Sequence, residues 1–383
     1  MIRVGVDVRE LGGRPTGVGR YLREVLVRWQ DDPACRGAEL MLFTPEARLA
    51  DRWVPLGHRG ATLTWQHVPG RGGAFWEQHH LAGAALRARL DVFFAPAYTA
   101  PLRLEPPSVV VMHDVSFAAH PEWFPWRHGL RMRKFARWSA RRAHTVLTMS
   151  AFSKAEIQQF QGVPAEHIRV IPLAVDYHDA RRPAGHDAPV ARPSAGGGTG
   201  LPNTVLYVGS VFERRHLPLL IEGVALARRH VPDVRLVVIG ENRTATRQDL
   251  RALARSRGMD EALHLHDYVT ETALEAAYAE AGVFAFLSEY EGFGLTPLEA
   301  MRHRLPTIVL DTSVAREVYG NGARLVGLGD PQAVGDAITE LLRDPDRRAA
   351  QIAAGDAAVG RYRWQQTARA TWDAIVTAAG ARR

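Results

Sequence analysis

Short apolar, β-branched runs alternate along the chain with stretches whose apolar positions recur at helical spacing. The runs predict strands at Ile2–Val8, Leu40–Phe43, Val92–Ala95, Val109–His113, Thr145–Thr148 and Arg169–Pro172, with amphipathic helices such as Val18–Trp29 and Leu130–Ala143 between them. After residue 203 the pattern restarts, with strands at Thr204–Val208, Val234–Ile239, His264–Leu265, Val283–Leu287, Thr307–Leu310 and Ala323–Val326. Strands that alternate with helices form βαβ units and parallel sheets. The pattern therefore predicts an α/β protein with two doubly wound domains. Residues 181–203 (RRPAGHDAPVARPSAGGGTGLPN) are rich in Gly, Pro and Ala, lack periodicity, and read as a linker or loop. The crossing between domains is expected near Leu173–Asp176. Sheets of this kind direct the carboxyl ends of their strands toward a common cleft, where ligands bind in loops that lead into helix N-termini.

Composition narrows the class. A chain of 383 residues suits two domains. An apolar fraction of 46% and a charged fraction of 23% exclude wholesale disorder, collagen and a disulfide mini-scaffold. Cys35 is the single cysteine, so no internal disulfide forms, which suits a reducing compartment. No run reaches the ~18 apolar residues of a membrane span. The opening MIRVGVDVRE carries Arg3 and Asp7 within its apolar run and reads as a buried first strand, not a signal peptide. The formal charge is +7, and only Lys134 and Lys154 among the 48 basic residues are lysines. Such an arginine bias reflects genomic composition. Excess positive charge admits nucleic acid, an anionic membrane or phosphorylated small molecules as partners.

Candidate chemistry concentrates in Ser288–Met301, SEYEGFGLTPLEAM, which follows the run Val283–Leu287. Gly292 and Gly294, flanking Phe293, permit positive φ and close backbone approach. Thr296–Pro297 is expected to start a helix, with proline at its first position. The N–H groups of Gly294, Leu295 and Thr296 would face an anion at the positive end of that helix. Glu291 and Glu299 could border one ligand. Two alternatives stay open: Thr296-x-x-Glu299 fits a capping box, and Glu291 fits a solvated loop acid. Arg214 and Arg215 read as a solvated pair or as an anion clamp. Gly17–Tyr21 (GVGRY) supplies two glycines of a G-x-G-x-x-G fingerprint. Leu22 replaces the third, however, and the loop from Asp7 to Gly17 is too long for that motif's tight turn. It reads instead as a flexible loop. His113 ends an apolar strand beside Asp114, where a histidine is structural or functional.

Together these segments resemble a known family. Glu291–Met301 resembles the EGFG-x-x-x-LEAM signature of retaining glycosyltransferases of family 4, built on the GT-B fold. Gly17–Tyr21 resembles the G-[IV]-G-R-Y loop of its mannosyltransferase-like branch, Val111–Phe117 (VMHDVSF) its HD segment, and Ser150–Ile157 (SAFSKAEI) its S-x-F-S-K helix start. Ile171–Asp176 (IPLAVD) resembles its P-x-G-V-D crossing, Tyr207–His216 (YVGSVFERRH) its Y-V-G-x-x-x-x-R-K-N segment, and Arg363–Trp364 its late aromatic motif. The resemblance implies two Rossmann-like domains facing a central cleft. Residues 1–175 would bind the acceptor and residues 176–360 the nucleotide sugar, with a last helix of about 361–383 crossing back onto the first domain.

The same resemblance assigns roles. Glu291 would hold donor-sugar hydroxyls and Glu299 the nucleotide ribose; a carboxylate can accept two hydroxyl hydrogen bonds. Arg214 and Arg215 would clamp the donor diphosphate and stabilise charge on the leaving group. Arg215 stands where the family usually has lysine, which keeps the charge and changes the geometry. Gly17, Gly19 and Gly209 would approach the donor phosphates, and Val269, within Tyr268–Thr270, the base. His113 would sit against the transferred sugar. Asp114 and Lys154 would contact the acceptor. Arg304 replaces a family glycine suited to a left-handed helix end, so that turn is expected to close differently.

No cofactor is implied, and no metal site is expected. Asp344-Pro-Asp346 reads as a turn and helix cap, adjacent His79 and His80 lack chelating helical spacing, and cations at the diphosphate make a metal unnecessary. Arg127–Arg142 (RHGLRMRKFARWSARR) holds seven Arg or Lys and no acid, interleaved with aromatics. It reads as a solvated helix packed on the first sheet or as a surface for an anionic membrane. The expected partners are a nucleotide-sugar donor, with mannose from GDP-mannose as the first reading, and a glycan or lipid-linked acceptor. The expected place is the cytoplasm or, peripherally, the inner face of the membrane. A nucleotide-sugar epimerase of the same fold is the alternative. Nucleic-acid binding would leave Glu291 and Glu299 without a purpose.

Overall fold

The computed structural model describes residues 2–13, 16–53, 59–175, 203–244 and 248–381. The expected linker at 181–203, apart from Asn203, and Asp176 of the expected crossing lie outside these residues. The chain forms two compact units, Met1–Arg182 with Tyr362–Arg383, and Pro183–Arg361.

The first unit holds β1 (Arg3–Asp7), β2 (Glu39–Thr44), β3 (Thr62–His67), β4 (Val92–Ala95), β5 (Ser108–Val111), β6 (Thr145–Thr148) and β7 (Ile168–Val170). Their order is β3-β2-β1-β4-β5-β6-β7, and every pairing is parallel. β4, β5 and β6 are buried along their whole length, because helices cover both faces of a parallel sheet. The second unit holds β8 (Thr204–Val208), β9 (Arg235–Ile239), β10 (Leu263–His266), β11 (Val283–Phe286), β12 (Thr307–Leu310) and β13 (Ala323–Val326), in the order β10-β9-β8-β11-β12-β13, again parallel. In each sheet the chain winds outward in both directions from a central pair, β1 and β4 or β8 and β11. Those pairs are the switch points where doubly wound sheets open a ligand crevice at their carboxyl ends.

The last helix, Trp364–Gly380, belongs to the first unit. It packs on the Gly17–Asp31 helix, where Trp29 Nε1 donates to the Ala368 carbonyl at 2.9 Å and the Trp29 and Trp372 rings lie 5.5 Å apart. Trp364 itself is fully buried.

Several expectations are corrected. β3 was not expected: TLTWQH is a half-exposed edge strand with few apolar residues. β5 stops at Val111, so His113 lies beyond the strand, and β7 begins one residue early, at Ile168. Gly17–Tyr21 is not a flexible loop. It is the first turn of a helix whose N-cap, Thr16, accepts from the Gly19 N–H at 2.9 Å. Gly19 is required there because a Cβ would come within 2.5 Å of the Glu10 carbonyl oxygen. Arg304 does not avoid the left-handed turn; it adopts it, with φ 55°. The turn closes through Arg304 N–H to Met301 O at 2.8 Å and Leu305 N–H to Ala300 O at 3.0 Å. A side chain in this region costs about 1–2 kcal/mol. The Asp344 carboxylate caps the Pro345–Gly360 helix, accepting from the Asp346 and Arg347 N–H groups.

Candidate active site

In the second unit, β8 delivers the chain to Gly209 (φ 139°), where a Cβ would meet Arg215 Nη1 at 2.8 Å. The short turn Glu213–Arg215 then presents two guanidinium groups. Arg215 donates through Nε and Nη2 to Glu291 Oε1 at 3.2 and 3.0 Å, and through Nη1 to the Ser210 carbonyl at 2.8 Å. Its guanidinium lies 4.9 Å from the Phe286 ring centre and 5.5 Å from that of Phe212; Arg214 lies 4.4 Å from Phe212. Burial opposes the Arg215 charge, yet Glu291 and Tyr207 hold its pKa above arginine's ordinary value. Burial pushes the Tyr207 phenol up to about 12, so at neutral pH it is a hydrogen-bond donor, here to the Ser210 carbonyl at 3.0 Å.

Glu291 Oε1 also accepts from Ser288 Oγ at 2.9 Å, whereas its Oε2 makes no hydrogen bond among the described residues. One oxygen is committed to the protein and the other remains available. The helix after the glycine loop runs Leu295–Arg302, beginning one residue before the expected Thr296. Its N-cap is Gly294, left-handed at φ 83°, with no capping side chain. A side chain there would collide with Tyr319 Oη at 2.0 Å, and that hydroxyl donates to the Gly294 carbonyl at 3.0 Å. With the cap at Gly294, the Thr296–Glu299 capping box does not form. Glu299 is buried and accepts from Tyr278 Oη at 3.3 Å. The first-turn N–H groups of Leu295 and Thr296 are the usual helix-terminal donors, while Pro297 supplies none.

The sequence drew attention to neither Tyr278, which holds Glu299, nor the Phe212 and Phe286 rings flanking the arginines. Ser288 stood inside the motif without a role. Phe293 and Gly292 are buried beside Glu291. Val269 is half-buried against the domain core, next to exposed Tyr268 and to Thr270, which caps the Glu271–Glu280 helix.

In the first unit, His113 follows β5. Its Nε2 lies 2.9 Å from the Pro96 carbonyl oxygen, which can only accept, so Nε2 carries the proton. Nδ1 makes no hydrogen bond among the described residues and is left as an acceptor. Burial holds the imidazole pKa below 6.5, against the opposing pull of the Pro96 carbonyl and Asp114. Tyr21 and Tyr98 meet the ring edge-on at 5.4 and 5.7 Å. Gly17 is exposed at the start of the helix that carries Tyr21. Asp114 Oδ1 is occupied by Ser116 N–H and Oγ, at 2.9 and 2.8 Å. Lys154 Nζ donates to the Ile168 carbonyl at 3.1 Å, and Ser150 caps its helix.

Comparison with known proteins places these features. The family model for Glycosyltransferase Family 4 matches residues 15–179, and that for Glycosyl transferases group 1 matches residues 198–357. O-antigen chain mannosyltransferase B of Escherichia coli is 28% identical over 373 residues, covering 94% of this chain and 95% of that protein. A D-inositol 3-phosphate glycosyltransferase of Xylanimonas cellulosilytica is 32% identical over 62% of this chain and 58% of its own length. Among solved structures, Anabaena Alr3699/HepE in complex with UDP and glucose superposes with a TM-score of 0.69 at 19% identity, covering 98% of this chain and 99% of that one. Sucrose-phosphate synthase from Thermosynechococcus elongatus superposes with a TM-score of 0.73 at 16% identity over the whole of both chains. With one family model over each unit and two doubly wound parallel sheets of this topology, the chain belongs to the family 4 (group 1) glycosyltransferases of the GT-B fold.

Proposed function

We propose that the protein transfers a hexosyl unit from a nucleoside diphosphate sugar to an acceptor hydroxyl with retention of anomeric configuration. Mannose from GDP-mannose is the first donor to test, because Gly17–Tyr21 resembles the mannosyltransferase-like branch, the Escherichia coli relative is named a mannosyltransferase, and a Komagataeibacter xylinus relative is named for GDP-mannose. The acceptor is a glycan or a lipid-linked glycan. The observation that carries the reading is the Arg215–Glu291 contact between the Gly209 turn and the loop that opens the Leu295–Arg302 helix.

The chemistry follows from that contact. A diphosphate leaving group gains negative charge as the glycosidic bond breaks. Arg214, Arg215 and the Leu295 and Thr296 N–H groups are fixed positive ends that stabilise it without reorganising. Glu291 Oε2 accepts a donor-sugar hydroxyl while Arg215 holds Oε1. Glu299, held by Tyr278, accepts from the ribose. His113 Nδ1 accepts a hydroxyl of the transferred sugar. The departing phosphate oxygen takes the acceptor proton on the same face as the attack, so the reaction needs no covalent enzyme intermediate. The clamp supplies its cations from side chains, and the reaction is proposed to run without a metal.

A thermal-shift screen of UDP, GDP and their sugars tests this reading, since a ligand that binds only the folded form raises its melting temperature. Stabilisation by a nucleoside diphosphate and its sugar is expected; no shift with any of them contradicts the proposal.

A peripheral contact with anionic membrane is part of the reading. The Trp126–Arg142 helix meets its unit through Gly129, Ala136, Ser139 and Ala140. It turns Arg127, Leu130, Arg131, Lys134, Arg137, Trp138 and Arg141 outward in one stripe. Trp126 is 70% and Trp138 49% exposed. Basic residues near an anionic surface contribute about 1 kcal/mol each. Flotation with phosphatidylserine vesicles at low salt is expected to carry the protein upward, and a Lys134→Ser, Arg137→Ser, Trp138→Ser variant is expected to stay at the bottom. No flotation of the wild type rejects the contact.

A further inference from the structure

At the carboxyl end of β1, on the switch point of the first sheet, a charge cluster outside the proposed chemistry fastens one segment in place. Arg9 Nη2 lies 2.8 Å from Asp7 Oδ2 and is also paired with Glu77. Asp7 is 3% and Glu77 2% exposed. Glu77 Oε2 further accepts from Thr99 Oγ1 at 2.6 Å, and Arg9 Nη1 donates to the Gly72 carbonyl at 3.0 Å. Gln78 Nε2 donates to the Ala100 carbonyl at 3.1 Å, and Trp76 Nε1 to that of Val68 at 2.8 Å. Burial pushes the Asp7 carboxyl up to about 6 even beside Arg9. Burying three charged groups is expensive unless they pair. Here Arg9 ties Gly72 and Glu77 to the end of β1, and Glu77 is tied in turn to Thr99.

What the fastened segment presents is unusual. Gly70 and Gly72 adopt φ 151° and 71°, and a Cβ on Gly70 would meet Trp76 Cδ1 at 2.4 Å. The chain then enters a π-helical turn, Trp76–Leu81, a rare geometry that is frequent at functional sites. The result is an exposed trio. Phe75 is 69% exposed, its ring centre lies 4.6 Å from that of His79 and 5.6 Å from that of His80, and both histidines are exposed. A lone exposed ring needs no explanation; an exposed phenyl ring with two imidazoles against it, on a scaffold of buried charge, does. The same framework reaches His113, because Thr99, bound to Glu77, follows Tyr98, whose ring meets His113.

We infer that Phe75, His79 and His80 form a binding platform for a sugar ring of the acceptor, held at the switch-point crevice by the Arg9–Glu77 pair. The match is chemical. A pyranose offers an apolar C–H face to an aromatic ring, and its rim hydroxyls fit imidazole nitrogens, which both donate and accept. A lipid surface would call for cations, and segment 70–80 offers Arg71 alone, whereas the basic stripe belongs to the separate Trp126–Arg142 helix. The inference rests on the glycosyltransferase reading and names the acceptor subsite within it.

Saturation-transfer NMR on the full chain tests it, with methyl α-D-mannopyranoside, methyl α-D-glucopyranoside and methyl β-D-galactopyranoside as probes. At least one glycoside should receive saturation at its ring protons. Phe75→Ala should weaken its binding by about tenfold, about 1.4 kcal/mol, and Phe75→Trp should retain it, as expected for a stacked ring. Equal signals from wild type and Phe75→Ala overturn the platform. So does loss of vesicle flotation in Phe75→Ala with the glycoside signal unchanged, which would make the trio a membrane contact. The same samples are melted with UDP and GDP. A nucleotide shift without any glycoside signal removes the platform alone, whereas no nucleotide shift removes the glycosyltransferase reading beneath it.

Discussion

Replacing Arg215 by alanine is expected to lower kcat by about 10²–10³, the usual effect of removing one preorganised group aimed at developing charge. Three contacts make this residue harder to replace than a surface cation. Its fork is divided between Glu291 and the Ser210 carbonyl, and its plane faces Phe286. It is also close enough to Gly209 that no side chain fits there. Losing it removes a positive end from the leaving diphosphate and frees the Glu291 carboxylate that it orients. The Michaelis constant for the donor should therefore rise as well. Arg215→Lys should recover part of kcat, because an ammonium restores charge but neither the fork nor the stacking. Steady-state kinetics with the nucleotide sugar identified by thermal shift checks both variants. A kcat within about twofold of wild type in Arg215→Ala, less than 1 kcal/mol of barrier, would contradict the clamp.

The second large effect is expected at His113. His113→Ala should reduce kcat by about 10²-fold while changing nucleotide affinity little, the pattern of an interaction made with the transferred group and not with the nucleotide. The pH dependence is specific. With Nε2–H given to the Pro96 carbonyl, only neutral imidazole leaves Nδ1 as an acceptor. Burial lowers the pKa below 6.5, so the wild type should keep more than half of its neutral-pH activity at pH 6.5, where an ordinary imidazole is half protonated. The sign for stability agrees: the unfolded chain takes up the proton first, so this residue's contribution to stability falls as pH drops below 6.5. His113→Gln, which keeps an acceptor, should retain more activity than His113→Ala. Equal kcat in wild type and His113→Ala would remove the histidine from the reaction.

Much of the fold was legible because central parallel strands are buried on both faces and appear as uninterrupted apolar runs. Val92–Ala95, Thr145–Thr148, Thr204–Val208 and Thr307–Leu310 occur as strands with the boundaries the pattern predicts, as does Ala323–Val326, an edge strand with Arg324 exposed. The edge strand β3 was not legible, since TLTWQH has one face half in water and no continuous apolar run. Helix starts were the weaker part. Thr296–Pro297 offered a hydroxyl and a proline, but the backbone turns one step earlier, at Gly294, where Tyr319 leaves no room for a side chain. At Gly17, the glycines suggested mobility, whereas Thr16 capping and the close Glu10 carbonyl use Gly19 for contact.

In the candidate site, local motifs were legible and long-range partners were not. Arg215 and Glu291 are 76 residues apart in sequence, and only the β8–β11 pairing brings their loops together. Tyr278 reaches Glu299 from a different helix across 21 residues, with no spacing signal to announce it. The Arg9–Glu77 pair spans 68 residues and joins a strand end to a π-helical turn that no periodicity predicts. Arg304 shows the converse: its sequence departure suggested a changed turn, but the backbone hydrogen bonds of the helix end to Met301 and Ala300 close the left-handed turn despite the side chain.

Calorimetric titration of GDP, GMP, UDP and UMP into the wild type and into Arg214→Ala, Arg215→Ala most directly tests the central claim, that a diphosphate is gripped by the arginine pair and the start of the Leu295–Arg302 helix. The wild type should bind one diphosphate at least about tenfold more tightly than its monophosphate, and the double variant should lose most of that difference, since charge-assisted contacts to phosphate contribute about 1.5–3 kcal/mol. A diphosphate preference that persists undiminished in the double variant would contradict the account.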